Sequence, residues 1–458
     1  MKYFKLKYLP FIVALLILPF AFYSCGDTND DDSQNANAPA IHKVFLENAN
    51  STVPDREVTF ARLGQTIRLE GENFVGMTKV IINGYSCYFN PVFVSNKSMI
   101  VQINQEVPTI DAADAVKNTI RLEKGAQFCV YNFDIRSASP SVTNISHTMP
   151  LPGEWITVEG TGLQEVSRVV FPGDIEVTTD IVSDEDGKFF NVIVPAGVSE
   201  NGGSIFVESV NGGAYSPAYF NCKAGLILDF DGHGEPASWT DNAVTSDDFL
   251  SDIIGQGNVS QGNYCPMIPG RLAPVSAGAP RVTEVWTSGN EDWRSQFVPA
   301  YFNESTSLEK IALQFDIYVP ENWNDTGFLG ICLANNFSAG NQWTGEFYNY
   351  IPWLAGSAKA PFKTLGWTTV TIPMNKFYKY SDGQYTFADI LAFREGQTYR
   401  NFGVFFNNND FNLKNVTGKD ADESVEFPSS ATSVNVFVDN FRLVSLDTPV
   451  YSDFPDEE

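Results

Sequence analysis

The sequence predicts an all-β chain made of several sandwiches, and three observations carry that prediction. No long stretch keeps an apolar period of 3.6, so helix is scarce. Short alternating apolar runs recur between clusters of Gly, Pro, Asn and Thr, the pattern of strands and turns. The third observation is an internal repeat. Leu63-Gly-Gln-Thr-Ile67-Arg-Leu69-Glu-Gly71 matches Pro152-Gly-Glu-Trp-Ile156-Thr-Val158-Glu-Gly160, and without a gap Lys79-Val-Ile-Ile82-Asn-Gly84 matches Arg168-Val-Val-Phe171-Pro-Gly173. A chain of 458 residues exceeds one ordinary core, and at roughly 100 to 200 residues per domain it holds about three.

Taken in order, residues 1–25 begin with Lys2, Lys5 and Lys7, continue through the apolar run Leu9 to Tyr23 and end at Ser24-Cys25. That is a signal peptide and not a membrane span. A cysteine directly after the apolar run resembles the lipobox of bacterial lipoproteins, which implies lipidation at Cys25, although Phe22 stands where Leu, Val or Ile is usual. The acidic run Gly26-Asp27-Thr-Asn-Asp30-Asp31-Asp32 resembles the export signal that sends Bacteroidetes lipoproteins to the outer face of the outer membrane. Residues 26–38 are too polar to bury a core and form a flexible leash.

The repeat has a physical reading. A glycine turns the chain, Ile-x-Leu/Val alternates as a half-buried strand, and Glu-Gly breaks it before a second strand. With Pro140-Ser-Val-Thr-Asn-Ile145 ahead of the second copy, the pattern resembles the IPT/TIG immunoglobulin-like (Ig-like) domains, over residues 39–137 and 138–223. These are expected to be spacers, since fold alone names no function.

After Cys222 the composition shifts, and seven of the eight tryptophans lie beyond residue 224. Leu226-Ile-Leu-Asp-Phe-Asp231 opens this part and Val434-Asn-Val-Phe-Val438-Asp-Asn-Phe441-Arg-Leu443 closes it. Between them, strand-length runs are separated by loops too long for hairpins. An Asp-Phe-Asp opening and a Val-Asp-Asn-Phe-Arg-Leu closing resemble a jelly-roll-like carbohydrate-binding β-sandwich over residues 224–458, in which first and last strands pair.

Within it, Trp343-Thr-Gly-Glu-Phe347-Tyr348-Asn-Tyr350-Ile-Pro-Trp353 places five large aromatics in eleven positions. In an extended segment Tyr348 and Tyr350 share one face while Phe347 and Ile351 share the other. The tyrosine face is expected to stay open, with Trp343 and Trp353 at its ends, as a platform for the apolar faces of sugar rings. A second cluster holds Trp286 and Trp293 among Asn290, Asp292, Arg294 and Gln296, with one tryptophan expected in the site and the other in the core. Trp323 and Trp367 are expected to be structural, and Trp239 has no assignment.

Other chemistries find little support. The formal net charge is -26, which repels nucleic acid and anionic membrane. No HExxH, GxSxG or Cys-His pairing occurs, and the glycine runs lack the lysine and helix of a phosphate loop. Glu284, Glu291, Asp292 and Glu346 lie near aromatics, where a glycosidase would need two carboxylates. Asp229-Phe-Asp231-Gly-His233 spaces carboxylates two apart without the rest of an EF-hand loop; a structural calcium between first and last strands and a plain strand end are both open. No cofactor or catalytic metal is expected. Cys87, Cys129, Cys222, Cys265 and Cys332 form no metal spacing and read mostly as buried small hydrophobes.

The order of parts, a lipoprotein signal, tandem Ig-like domains and an aromatic-rich sandwich, resembles the surface glycan-binding proteins of Bacteroidetes polysaccharide-utilisation systems. The resemblance implies non-catalytic capture of xyloglucan or a related β-glucan on the outer face of the outer membrane, beside a glycan importer and its companion binding lipoprotein. A lipoprotein glycoside hydrolase and a protein-binding surface adhesin are the alternatives. Cys25→Ala is expected to move the protein from the membrane pellet to the soluble fraction; retention in the pellet after high-salt washing would contradict lipidation.

Overall fold

The structure is a computed structural model that describes residues 38–48, 52–53, 55–234, 236–237, 243–251, 260–267, 279–288, 291–337 and 341–454. Cys25, the leash up to residue 37 and Trp239 lie outside the described residues.

Each copy of the repeat opens a two-sheet sandwich. In the first, Ala40–Glu47, Thr66–Glu72 and Ser98–Gln102 lie side by side, facing Lys79–Ile82 and Thr119–Lys124. In the second, Ser141–Ile145, Trp155–Thr161 and Phe189–Ile193 face Arg168–Phe171 and Phe206–Ser209. The alternating residues Ile67 and Leu69, and their counterparts Ile156 and Val158, are buried in separate cores. The repeated Glu-Gly has a steric cause. A Cβ on Gly71 would lie 1.8 Å from the Ala40 carbonyl oxygen, and one on Gly160 would lie 1.8 Å from that of Ser141. In both domains the neighbouring strand shifts register at this point, between Ile41 and Lys43 and between Val142 and Asn144. Only glycine lets the bulged strand come that close.

The third sandwich has two five-stranded sheets. One runs Leu226–Leu228, Phe437–Ser445, Ile311–Tyr318, Thr368–Pro373, with Cys265–Pro266 also on the Phe437–Ser445 strand. The other runs Pro236–Ala237, Ala279–Thr287, Gly403–Asn408, Phe328–Cys332, Phe347–Tyr350. The first and last strands pair as expected, Leu226 opposite Arg442. Ile311–Tyr318 is buried at every position, because one face meets the inter-sheet core and the other is covered by the second Ig-like domain. The sandwich ends at Ser445, and the following residues leave it instead of completing it. No disulfide forms among the described residues, and Cys87, Cys222, Cys265 and Cys332 are buried.

The seam between the second Ig-like domain and this sandwich is built on a buried ion pair. Arg442 and Asp316, both with fully buried side chains, meet at 3.0 Å. Arg442 also donates to Thr148 Oγ1 at 2.7 Å, and Thr369 Oγ1 donates to Asp316 at 2.6 Å. Thr148 Oγ1 in turn donates to Gln314 at 3.0 Å, and the Thr369 backbone N–H donates to the Ser146 carbonyl at 2.8 Å. His147 sits 3.7 Å from Asp316 and 3.6 Å from Glu154. Burial alone would raise the Asp316 carboxyl, but the Arg442 guanidinium and the His147 ring hold it far below the usual carboxylate range. Burial opposes charge on His147, yet Asp316 and Glu154 raise it above the ordinary histidine value. Ala312 and Val444 of the sandwich join the core of the Ig-like domain.

Removing one partner of such a pair strands a buried charge. Arg442→Met is therefore expected to cost about 3–5 kcal/mol in urea unfolding; a change within experimental error would mean that the pair is solvated. Because the folded His147 is raised, its contribution is complete below the unfolded histidine value and is lost as pH rises through the folded one. Stability measured from pH 5 to 9 should fall across that window in the wild type, and His147→Gln should flatten the fall.

Candidate functional site

With one sheet of the third sandwich docked on the Ig-like domain, the other turns its outer face to the far side, where the chain's own loop covers it and leaves its residues buried. The outward residues follow from register. Glu284, Phe405, Gly330 and Asn349 stand in one cross-strand row, and Trp286, Gly403, Cys332 and Phe347 in the next. Over these rows the loop between Phe328–Cys332 and Phe347–Tyr350 folds back. Asn407 Nδ2 donates to Gln342 Oε1 at 2.8 Å, and Asn349 Nδ2 donates to the Gln342 carbonyl at 2.9 Å. Phe337 caps Phe405 at a centroid distance of 4.9 Å and Phe347 at 6.0 Å.

The half-exposed rings gather where this loop meets the short turn Tyr378–Tyr380. Trp343 lies 5.8 Å from Tyr378, and Tyr378 stacks on Tyr348 at 6.4 Å with the planes 16° apart. All three are half-buried. The turn is held to the loop by Lys379 N–H donating to the Gly345 carbonyl at 2.9 Å. Three buried polar atoms near these segments lack a partner. Asn349 Oδ1, Asn375 Oδ1 and the Tyr380 hydroxyl are buried with no protein partner, and such groups are costly unless something bonds them. Burial raises the Tyr348 and Tyr378 hydroxyls above the usual phenol value, so both stay protonated and can donate.

Three of the six aromatics expected in the site are placed here. Tyr348 and Tyr350 do share a face, but it is the face of Leu329 and Ile331, turned to the inter-sheet core. They stay half-open because Phe347–Tyr350 is an edge strand, with no neighbour beyond it to close the layer. Tyr350 stands edge-on to Phe315 at 5.6 Å, so it supports the rim more than it presents a ring. The expectation that Phe347 and Ile351 share the opposite face applies to Phe347, which is fully buried.

The other three are corrected. Trp353 is 0% exposed, donates to the Gly327 carbonyl at 2.7 Å and packs on Phe411 and Phe427. Trp286 is 2% exposed, lies flat over Gly403 and donates to Glu284 at 2.9 Å. Trp293, also 2% exposed, is sandwiched against the Arg394 guanidinium at 3.7 Å and the rings of Phe297 and Phe402. Each indole N–H has an internal acceptor, Trp293 through Glu291 at 3.3 Å, so all three are built as core rings. The expected split of Trp286 and Trp293 between site and core does not occur. Trp323 and Trp367 are buried.

Sequence reading missed Tyr378 and Phe337. Phe377-Tyr-Lys-Tyr380-Ser-Asp-Gly-Gln-Tyr385 mixes rings with polar groups as densely as the stretch that was singled out, and would have been the signal. Three of the four acidic residues near aromatics have other partners. Glu284 pairs with Arg281 at 3.1 Å, Glu291 with Arg394 at 3.3 Å, and Asp292 accepts from Ser295 at the start of a short helix. In the Asp229–His233 turn, Asp229 Oδ1 accepts from the backbone of Asp231 and His233, and Asp231 accepts from Asn263. Asp229 thus closes its own turn, and Asp231 ties that turn to the segment of Asn263.

Residues 220–445 match the family model described as the surface glycan-binding protein B xyloglucan binding domain. An IPT/TIG domain-containing protein of Bacteroides ovatus is 26% identical over 382 residues, spanning 75% of this chain and 74% of that one. The crystal structure of surface glycan-binding protein PbSGBP-B from Prevotella bryantii superposes with a TM-score of 0.61 at 18% identity, covering 90% of this chain and 99% of that one. SGBP-B from a complex xyloglucan utilization locus in Bacteroides uniformis covers 89% of this chain and 99% of that one at 16% identity, with a TM-score of 0.48.

Trp353→Ala and Trp286→Ala should each lose about 3–5 kcal/mol of stability, the range for truncating a buried aromatic. Chemical denaturation of the two variants checks this; wild-type stability in either would return that ring to the surface.

Proposed function

We propose that this chain is a non-catalytic surface protein that binds a β-glucan, xyloglucan or a close relative, through the third sandwich. The observation that carries the reading is the match of residues 220–445 to a xyloglucan binding domain. The rings of Trp343, Tyr378 and Tyr348 supply stacking surface, and the Tyr348 and Tyr378 hydroxyls are the groups that can bond sugar hydroxyls.

Magnitudes support a weak site. One ring face stacked on a sugar removes about 50 to 80 Å² of apolar area, on the order of 1 to 2 kcal/mol. Two or three such rings, set against the ordering of a flexible glycan, give dissociation constants of roughly micromolar to millimolar. Many copies on one surface would still hold a polymer, because each bound segment raises the local concentration of the next. An acidic protein of net charge -26 suits a neutral polymer.

The lipid anchor at Cys25, the outward-facing position and a neighbouring glycan importer with its companion lipoprotein belong to this reading as proposals. They rest on the signal and acidic run of the sequence and on the likeness to surface glycan-binding proteins. The reading needs no cofactor or metal.

Native gels containing xyloglucan or mixed-linkage glucan should retard the protein, and calorimetry should give tighter binding for longer oligosaccharides. Trp343→Ala and Tyr378→Ala should each weaken binding by about tenfold, about 1.4 kcal/mol, with a smaller stability loss than Trp353→Ala. Unchanged affinity in both variants would move the site elsewhere, and release of reducing ends from the glycan would replace binding with hydrolysis.

A further inference from the structure

Residues 446–454 follow the last strand of the glycan-binding sandwich and lie against all three domains in turn. At the start, Leu446 N–H donates to the Lys310 carbonyl at 2.8 Å, and Lys310 pairs with Asp447 at 2.9 Å, both within the sandwich. The Asp447 carbonyl then accepts from Ala218 N–H of the second Ig-like domain at 2.9 Å. Further on, the Tyr451 ring packs on Phe206 at 5.7 Å and covers Gly213, where a Cβ would lie 2.7 Å from the tyrosine ring. Only a glycine leaves room for it.

The far end reaches the first Ig-like domain. Asp453 accepts two hydrogen bonds from Arg62, at 2.9 and 2.8 Å. Arg62 is 6% exposed and donates its remaining bonds to carbonyls on both sides of the joint, Ser137 at 3.1 Å and Asn211 at 2.5 Å. Phe454 stacks on Phe60 at 5.8 Å with planes 13° apart, and the Arg56 guanidinium lies 4.6 Å above its ring. Among the described residues, a further direct link between the two Ig-like domains is Ser137 Oγ donating to Asn211 Oδ1 at 2.7 Å. A buried guanidinium at the joint therefore takes its carboxylate from a segment that belongs to a third domain.

We propose that the groove along the second Ig-like domain is a docking surface whose occupant is this chain's own residues 446–454. The segment acts as a strap that locks the three domains into one rigid arm. Its occupant is identified by fit: a bidentate carboxylate for Arg62, a ring for Phe60 and a ring over Gly213, all supplied by Tyr451, Asp453 and Phe454. The consequence is mechanical. The distance from the N-terminal leash to the sugar site is set by the strap as well as by the short connections between domains, and a stiff arm presents its site at one height without the entropy loss of ordering a hinged one.

The test is small-angle scattering on the full chain, comparing wild type with a Tyr451→Ser/Asp453→Asn/Phe454→Ser variant and with Arg62→Ala, which breaks the same joint from the other side. Both variants should broaden the pair-distance distribution and lower the melting temperature of the first Ig-like domain by about 5 °C or more. Hydrogen exchange should speed up at residues 60–62 and 206–216. Glycan affinity for a short oligosaccharide should stay within twofold of wild type in both. Scattering and exchange that match wild type would show the segment to be a passive tail. Loss of oligosaccharide affinity together with general unfolding would make it part of the sandwich and overturn the proposal.

Discussion

The arrangement of the molecule depends on one buried ion pair. Arg442 and Asp316 stand on adjacent strands and point away from the core of their own sandwich, where solvent would ordinarily meet them. Two charges out of water cost more than their attraction returns unless their remaining donors and acceptors are satisfied. Here Thr148 of the neighbouring domain, with Thr369 and Asn440, satisfies most of them, and the Arg442 Nε–H is left without a partner. The pair is therefore stable only with the second Ig-like domain in place. The bonds that cross the seam, Arg442 to Thr148, Thr148 to Gln314 and Thr369 to Ser146, are directional and orient the domains on each other.

Docking one sheet decides what the other can do. Since the Asp316 face is closed by the Ig-like domain, only the opposite sheet and the loops around it are left to meet a long polymer. That sheet is covered in part by its own loop, with Phe337 and Gln342 seated over Phe405 and Asn407. The half-open rings therefore appear at the edge of the sandwich, where the last strand has no further neighbour. The rings gathered at this edge are Trp343, Tyr378 and Tyr348.

The same logic separates core tryptophans from surface ones. Trp286, Trp293 and Trp353 each have an indole N–H satisfied from within and a ring face covered by another ring, a glycine or a guanidinium. Trp343 packs against Phe328 and Phe411 yet remains half-open. Trp367 is an exception, buried with its indole N–H unpartnered.

The pairing of first and last strands is expected only from the likeness to a jelly-roll module, whereas the all-β class and the doubling of the Ig-like unit are legible in the sequence by itself. These are local properties: alternation at Ile67 and Leu69, the Glu-Gly that a bulge requires, and strand-length runs bounded by turns. It also placed the aromatic stretch around Trp343 and the alternation within Phe347–Tyr350. What it could not determine is which side of that strand is open. A period of two assigns residues to faces but not faces to surroundings, and Tyr348 and Tyr350 lie on the inward face of an edge strand, a position set by the order of strands in the sheet. Burial of Trp286, Trp293 and Trp353 was equally out of reach, because their partners lie on other strands and loops: Phe405, Phe402 with Arg394, and Phe411 with Phe427. Nor could any local pattern join Asp453 to Arg62 or Asp316 to His147. Contacts between residues that distant in sequence exist only after three domains have folded and docked, so tertiary structure alone decided them.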